Sequence, residues 1–284
     1  MMSHNLPPTE IENLDYSRFV SLIDERNRCS GGIISVHEVI VNSRINSLSN
    51  VLEIGCNTGF TSVNLAYLSG CKVTGIDLNR ESIELAKQYA KRNGLEDKVN
   101  FQVENAENLS FAGEIFDLVW ASNVTSFIRN REVAASEYLR VLKFGGTLSL
   151  IPIYYRINPP KGLISEISDA IGNKVEYHTK DFWSELFTRM SKNSNAHLEL
   201  YYERDFEYLD VKDKIDKFIE IVLDKPHLRD VSEDQKSAIL KRAKYFYMLF
   251  NENLKYCGYT IFLYQKRREQ DEAELFLTKP IKNV

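Results

Sequence analysis

The segment that most constrains the fold runs from Val51 to Phe60 and reads VLEIGCNTGF. The residues from Val51 to Ile54 indicate a short buried strand. Gly55 and Gly59 then predict a tight turn, and apolar residues at helical spacing continue after Phe60. A strand, a glycine-rich turn and a helix form the first half of a nucleotide-binding α/β unit, where glycine lets the backbone approach a ligand.

A second strand is predicted about twenty residues later, over KVTGID, and it ends in Asp77. A carboxylate at the end of this strand can accept hydrogen bonds from both ribose hydroxyls of a bound nucleoside. The turn and the acid together are a stronger sign of a nucleoside site than either alone.

The glycine pattern distinguishes between nucleotide-binding families. Counted from Gly55, the later glycines of a G-x-G-x-x-G fingerprint are replaced by Asn57 and Phe60, and no Gly-Lys-Ser/Thr of a P-loop follows. A nicotinamide dehydrogenase is therefore disfavoured. The remaining pattern, Glu53 two residues before G-x-x-x-G, resembles the first motif of class I S-adenosylmethionine-dependent methyltransferases. In that family the turn passes a methionine moiety instead of a pyrophosphate.

The resemblance extends from Val51 to Ile153 as five alternating strand and helix units. It implies an α/β fold with a Rossmann-like, doubly wound, seven-stranded sheet that is mostly parallel and has an antiparallel seventh strand. The third strand is followed by Asn105 and Ala106, where the family has an acid and a small residue. The amide oxygen of Asn105 can still accept from an adenine amino group. The turn 143–146 leads into a fifth strand over 147–153.

The rest of the chain is predicted to cover this core. Residues 1–46 form an N-terminal helical lid, with a helix over 36–45 that opens with a capping box from Ser35 and Glu38. Residues 47–204 and 256–268 form the methyltransferase core. Residues 205–255 form a helical cap inserted between strands six and seven, because two helices there exceed a hairpin loop. Residues 269–284 are a C-terminal tail.

Composition limits the partners. The 284 residues carry a net charge of −4, which argues against DNA, and no apolar run approaches the roughly 18 residues of a membrane span. The N-terminus lacks the features of a signal peptide, so a cytoplasmic location is expected. Four scattered cysteines without a C-x-x-C pair disfavour a zinc site or a disulfide framework. The expected partners are a small-molecule methyl acceptor and a possible second copy of the chain, with no DNA and no membrane.

The family's cofactor is S-adenosylmethionine, with S-adenosylhomocysteine as product, and the resemblance implies its binding residues. Asp77 holds the ribose, Asn105 and Ala106 meet the adenine, and Asn123 borders the methyl region. The other predicted contacts are Glu53, Gly55, Cys56, Asn57 and Gly59 along the turn, Leu78 after the second strand, and Tyr16 and Arg28 from the lid.

Methyl transfer from a sulfonium is an in-line displacement, in which the protein mainly supplies proximity and a dry pocket. A general base helps only where the acceptor keeps its proton at neutral pH. His37 and Tyr154 are the candidate catalytic residues, and no metal is expected. The predicted function is methyl transfer to an oxygen or nitrogen of a small molecule. A protein or RNA methyltransferase and a non-catalytic S-adenosylmethionine-binding partner subunit stay open.

Overall fold

The computed structural model describes residues 6–192 and 197–268. Its strands are β1 (Asn50–Ile54), β2 (Lys72–Asp77), β3 (Val99–Val103), β4 (Phe116–Ala121), β5 (Leu142–Leu150), β6 (Ile153–Tyr155), β7 (His197–Glu207) and β8 (Cys257–Arg267). Its α-helices are α1 (Pro8–Ile11), α2 (Tyr16–Leu22), α3 (Ile33–Ser43), α4 (Phe60–Ser69), α5 (Arg80–Arg92), α6 (Arg131–Val141), α7 (Leu163–Ile171), α8 (Lys180–Lys192), α9 (Ile215–Leu223) and α10 (Glu233–Leu254). The predicted C-terminal tail lies outside the described residues.

The strands form one mixed sheet in the order β3-β2-β1-β4-β5-β8. The first five strands are parallel and β8 is antiparallel to β5. Along one edge β8 pairs with β5 and then β6, and along the other it pairs with β7 over almost its whole length. The predicted Rossmann-like sheet with an antiparallel last strand is confirmed.

The sheet differs from the prediction in having an eighth strand. The predicted fifth strand is interrupted at Pro152, which has no N–H to donate to a ladder, and the chain resumes as β6 beside β8. At its other end β5 begins at Leu142, before the predicted turn. Residues 143–146, which were predicted to form a turn, therefore lie within β5. The pairing of β5 with β4 is irregular at this place, because the register shifts between the pairs Phe116–Leu142 and Leu118–Thr147.

Both faces of the sheet are covered by helices. On one face a buried core includes Tyr138 of α6 and Trp183 and Phe187 of α8. On the other face Val36 of α3 and Leu65 of α4 contribute to a second core. Parallel sheets are typically covered on both faces, and their strands are therefore mostly apolar.

A third core joins helices that are far apart in the sequence. Buried apolar residues of α1, α2, α7, α9 and α10 pack together, among them Phe19, Leu22, Ile167, Ile219 and Phe246. We call these five helices the helical unit. Its longest helix, α10, begins with a capping box, in which the Ser232 hydroxyl accepts from the Gln235 N–H and the Gln235 side chain accepts from the Ser232 N–H. Within the described residues, no helix is long and apolar enough to cross a membrane.

The N-terminal region differs from the prediction in one detail. The capping box at Ser35 is wrong, because α3 begins at Ile33 after Gly32 and Ser35 lies in its first turn, fully buried. The Glu38 carboxylate instead accepts hydrogen bonds from Tyr202 and Arg204 of β7. Residues 23–32 join α2 to α3 without regular structure, and we call them the crossing segment.

The third core is expected to contribute strongly to stability. Phe246 is fully buried and its ring contacts those of Tyr16, Phe19 and Phe250. Phe246→Ala should lower the free energy of unfolding in urea by about 3–5 kcal/mol, because it removes buried surface and leaves a cavity.

Phe218→Ala is the matched control, since this phenylalanine of α9 is 41% exposed. It should change the free energy of unfolding by no more than about 0.5 kcal/mol. Equal effects of the two substitutions would contradict the assignment of a core to the helical unit.

Candidate functional site

The turn after β1 has a conformation that its sequence favours. Gly55 has φ +69° and Asn57 has φ +44°, both in the left-handed region. A Cβ on Gly55 would overlap the side chain of Val124. Glycine is therefore needed because the 3₁₀ segment Asn123–Phe127 packs directly on the turn. Cys56 is buried and its N–H donates to the Ile76 carbonyl at 2.9 Å, which ties the turn to β2.

The Asp77 carboxylate lies opposite this turn, at the carboxyl end of β2. One oxygen accepts from the Asn57 N–H at 2.9 Å and the other from the Asn79 N–H at 2.9 Å. A carboxylate offers about four acceptor positions, so each oxygen keeps a lone pair for an added ligand. The side chain is half-buried. The structure thus holds Asp77 in place and leaves it able to bind a pair of hydroxyls.

Two of the predicted contacts lie beneath the turn. The Glu53 carboxyl is buried and accepts a hydrogen bond from the Ser62 hydroxyl of α4. Burial raises the pKa of Glu53 to about 7. A Cβ on Gly59 would lie 2.8 Å from the Phe101 ring and 3.0 Å from Ala86. Close packing of α4 against α5 and β3 therefore explains this glycine.

The predicted adenine region is partly apolar and open. Leu78 is 71% exposed and Val103, at the end of β3, is 42% exposed. Asn105 is exposed and Ala106 is buried. The Asn105 side-chain oxygen accepts from the Glu107 N–H at 2.9 Å, which orients the amide and leaves its second lone pair free. A planar heterocycle could lie between the apolar side chains and be read by this amide.

On the other side of the turn, Asn123 connects β4 to β6. Its side-chain oxygen accepts from the Ile153 N–H at 3.2 Å and from the Ser126 hydroxyl at 2.8 Å. Arg131 holds the same segment by donating to the Thr125 carbonyl at 3.1 Å and to the Ser126 carbonyl at 2.9 Å. The predicted methyl region therefore has a fixed backbone.

The crossing segment passes over the turn. The Asn27 N–H donates to the Thr58 hydroxyl at 3.2 Å, and the Arg28 guanidinium lies 5.6 Å from the centre of the Phe60 ring. The segment is fastened to α5 as well, where Arg26 lies 3.5 Å above the Tyr89 ring. Arg28 is thus beside the turn, and its contact with the cofactor stays a prediction.

The other predicted lid contact, Tyr16, belongs to the helical unit. Its ring meets those of Phe246 and Phe250 edge-on, at centre distances of 5.3 and 4.7 Å. Burial, with a smaller contribution from the nearby Glu25 carboxylate, raises the pKa of Tyr16 to about 12. Neither contact joins Tyr16 to the turn.

The structure does not bring the two predicted catalytic residues together. His37 is exposed on α3, whose buried side chains at Val36 and Val39 face the core. The Tyr154 hydroxyl is 3.0 Å from the Thr260 hydroxyl, which donates to Asp205 at 2.7 Å. Tyr154 belongs to the core that holds Trp183, whereas Val36 belongs to the core on the opposite face. His37 and Tyr154 therefore lie on opposite sides of the sheet, and each stays a separate candidate for the general base.

Three residues that shape the site were missed from the sequence. Val124 fills the space above Gly55, Thr58 accepts from the crossing segment, and Arg131 fixes the loop after β4. Thr58 lies between the two glycines of the turn, at a variable position of the motif, and Val124 and Arg131 belong to no motif, so no local signal assigned these roles. Among the described residues, no group of three or more His, Cys, Asp or Glu side chains could hold a metal ion.

The buried Glu53 carboxyl generates a pH-dependent prediction. Its pKa is raised from 4.5 to about 7, so the folded protein binds its proton more tightly than the unfolded chain. The free energy of unfolding should therefore fall as pH rises from about 4.5 to above 7, by about 3 kcal/mol from this group. Glu53→Gln should remove that part of the difference between urea unfolding at pH 5 and at pH 8.

Glu84→Gln on the exposed face of α5 is the control, and it should leave the pH dependence of the wild type unchanged. A Glu53→Gln profile parallel to the wild type would contradict the raised pKa.

The geometry fits an adenosine-containing cofactor. The turn and Asp77 offer backbone and carboxylate contacts, and the exposed Leu78 and oriented Asn105 offer an apolar surface and an acceptor. These contacts come from the carboxyl ends of neighbouring parallel strands, where open α/β sheets bind their ligands.

Comparisons with known proteins agree with this geometry. A family model described as a methyltransferase domain matches residues 52–150. An uncharacterized protein of Haemophilus influenzae is 30% identical over 171 residues, which are 60% of this chain and 68% of that protein. Methyltransferase GfsG of Streptomyces halstedii is 31% identical over 121 residues, 43% of this chain and 42% of that one. The chain thus spans less than half of this second relative.

Solved structures show the same fold over most of the chain. The MccD protein superposes with a TM-score of 0.67 at 23% identity, covering 85% of this chain and 100% of that one. A geranyl diphosphate methyltransferase in complex with SAM superposes with a TM-score of 0.56 at 15% identity, covering 83% and 85%. Together with the turn, Asp77 and the matched domain, these findings show that the chain belongs to the class I S-adenosylmethionine-dependent methyltransferases, enzymes whose cofactor is S-adenosylmethionine.

Proposed function

We propose that this protein transfers a methyl group from S-adenosylmethionine to an oxygen or nitrogen atom of a small molecule. The observation that carries the proposal is the pair of hydrogen bonds by which the turn and the start of α5 orient the Asp77 carboxylate. Bound S-adenosylmethionine supplies a sulfonium-activated methyl group, so the chain has to position two molecules and exclude water.

Each part of the proposed cofactor site has a distinct task. Asp77 accepts hydrogen bonds from the ribose hydroxyls, and Leu78 covers the adenine with Asn105 and Ala106 at its edge. The backbone from Gly55 to Asn57 contacts the methionine part, while Glu53 and Gly59 support the turn from below. Asn123 fixes the backbone at the methyl end.

Arg28 and the crossing segment form the lid in this proposal. The Arg28 guanidinium lies beside Phe60 at the start of α4 and near the Tyr247 ring of α10. Burial raises the pKa of Tyr247, and the positive charge of Arg28 opposes this shift. It is placed to bind a carboxylate at the edge of the turn. Tyr16 acts indirectly, by anchoring the lid to the helical unit.

The elements that cover the glycine-rich turn support a small-molecule acceptor. The crossing segment and the helical unit lie over one side of the site, and Lys225, which follows α9, donates to the Ile23 carbonyl at 2.6 Å. An extended polymer would need an open groove at this edge. Relatives that include norajmaline N-methyltransferase of Rauvolfia serpentina, 35% identical over 107 residues, carry names of small-molecule enzymes.

The histidines of the described residues do not offer an obvious base at the methyl end. The His178 ring stacks on Phe182 and its Nε2 lies 3.2 Å from Glu176, while His227 faces the Leu22 carbonyl. We therefore propose that no histidine has to remove a proton from the acceptor atom. An amine nitrogen with a free lone pair or an ionised oxygen is nucleophilic enough to react in this way.

Calorimetric titration tests the cofactor directly. The purified chain should bind S-adenosylmethionine and S-adenosylhomocysteine with micromolar dissociation constants, and NAD should not bind. Methyl transfer to a panel of amines, phenols and carboxylic acids then identifies the acceptor atom. Binding of NAD alone, or of neither sulfur nucleoside, would overturn the proposal.

Asp77→Ala should weaken S-adenosylhomocysteine binding about tenfold or more in the same titration, because hydrogen bonds to a charged group contribute roughly 1.5–3 kcal/mol. Circular dichroism should show an unchanged fold. Asp97→Ala, an exposed acid in the loop before β3, should leave the affinity unchanged. An unaltered dissociation constant in Asp77→Ala would refute the ribose assignment.

A further inference from the structure

One lysine from the loop between α9 and α10 binds three consecutive residues of the crossing segment. The Lys225 ammonium donates to the Ile23 carbonyl at 2.6 Å and to the Asp24 carbonyl at 3.1 Å. It also donates to the Glu25 carboxylate at 3.1 Å. Because an ammonium has three N–H donors, the crossing segment uses all of them. We call residues 224–232 the α9–α10 loop.

These hydrogen bonds lie where the chain bends. Asp24 has φ +45°, in the left-handed region, which is unfavourable for a residue with a Cβ. Lys225 binds the carbonyl oxygens of both peptide groups that flank Asp24, so it stabilises the bend directly. Three residues later, the Asn27 N–H donates to the Thr58 hydroxyl at 3.2 Å. The bend therefore directs the chain from α2 to the glycine-rich turn.

The end of α2 favours cations and apolar side chains from this loop. The last carbonyls of a helix have no partner within it and carry a partial negative charge. The His227 Nε2 lies 3.0 Å from the Leu22 carbonyl. Leu228 and Val231 are buried in the same core as Leu22 and Ile23. The α9–α10 loop thus contacts the end of α2 through packing as well as through hydrogen bonds.

The opposite side of the crossing segment is attached mainly by long side chains. Arg92 of α5 pairs with Asp24 at 3.1 Å, but the Arg92 side chain is 50% exposed, and exposed ion pairs contribute little to stability. The Arg26 and Arg28 guanidinium groups lie near aromatic rings of α5 and α4. By contrast, the Lys225 side chain is 24% exposed and binds the main chain. The position of the backbone at the bend therefore depends chiefly on the α9–α10 loop.

We propose that Lys225 is a positioning residue for S-adenosylmethionine, which it affects through the crossing segment. This inference rests on the proposed function, in which Arg28 binds a carboxylate at the edge of the turn. Lys225 fixes the bend at Asp24, and the fixed bend places the Arg28 guanidinium beside the turn. All three donors of the ammonium are used within the protein, so the lysine acts through the lid. Coupling between two sites is reciprocal, so bound cofactor in turn stabilises the α9–α10 loop.

Calorimetric titration with S-adenosylhomocysteine tests this role. Lys225→Met removes the three donors and keeps an unbranched side chain. It should raise the dissociation constant about fivefold or more, as expected for coupling between two sites. The change should lie mainly in the dissociation rate constant, which stopped-flow measurements give, because a loosened lid releases its ligand faster. Lys225→Arg keeps a cation with several donors and should restore most of the affinity.

Arg242→Met is the matched control. The Arg242 side chain also joins the helical unit to a main-chain carbonyl of the N-terminal region, since its Nε donates to the Leu14 carbonyl at 2.8 Å. This carbonyl precedes α2 and lies outside the crossing segment. Arg242→Met should therefore leave the affinity for S-adenosylhomocysteine at the wild-type value. Equal weakening by Arg242→Met and Lys225→Met, or an unchanged dissociation constant in Lys225→Met, would overturn the proposal.

Hydrogen exchange measures the reciprocal effect. In the wild-type protein, S-adenosylhomocysteine should slow amide exchange in the α9–α10 loop as well as in the glycine-rich turn. At a ligand concentration that saturates both proteins, Lys225→Met should lose the protection of the loop and keep that of the turn. A lysine that only stabilises the fold would change exchange equally with and without ligand. A loop that does not respond to ligand in the wild type, or that responds equally in Lys225→Met, would contradict the proposal.

The two proposals fail in distinguishable ways. A wild-type protein that binds neither S-adenosylmethionine nor S-adenosylhomocysteine would overturn both of them. Micromolar binding by the wild type with the same affinity and the same loop protection in Lys225→Met would overturn only the role of Lys225.

Discussion

The backbone pairing of β8 holds the parts of this molecule together. This strand is buried at almost every position and forms ladders with β5, β6 and β7. Two helices of the helical unit are inserted between β7 and β8, so both ends of that insertion are fixed by one ladder. The same strand presents Tyr259 to the crossing segment and Thr260 to Tyr154 on the opposite face. The arrangement of lid, sheet and helical unit therefore depends on main-chain hydrogen bonds.

The sequence predicted best what is encoded locally. The strand, turn and helix around Gly55 and the acid at Asp77 each depend on neighbouring residues. By contrast, β6 exists because three residues pair with a strand about a hundred positions later, and nothing in its own sequence indicates that partner. The capping box at Ser35 failed for a similar reason. The spacing was correct, but α3 starts earlier and packing turns the serine inward.

The candidate site divides in the same way, into a part that is encoded locally and a part that depends on tertiary contacts. The cofactor side comes from one continuous stretch of chain, so a motif was enough to identify Asp77 and the turn. The proposed acceptor side adjoins the crossing segment, the loop after β4 and β6. Its geometry depends on contacts such as Asn123 with Ile153, which no spacing rule reveals. Family resemblance ends at about Ile153, and the elements after it are those that would select an acceptor.

The exposed edge of the sheet has a consequence for solubility. An eleven-residue strand with one free edge could pair with another chain, but β7 carries Glu203, Arg204, Asp205 and Glu207 in succession around Phe206 and has a register shift near Tyr202. These charges form ion pairs with neighbours such as Lys180 and Arg156. Charged and irregular edges disfavour pairing between sheets. The charges on β7 therefore disfavour pairing of this edge with another chain, and so favour solubility.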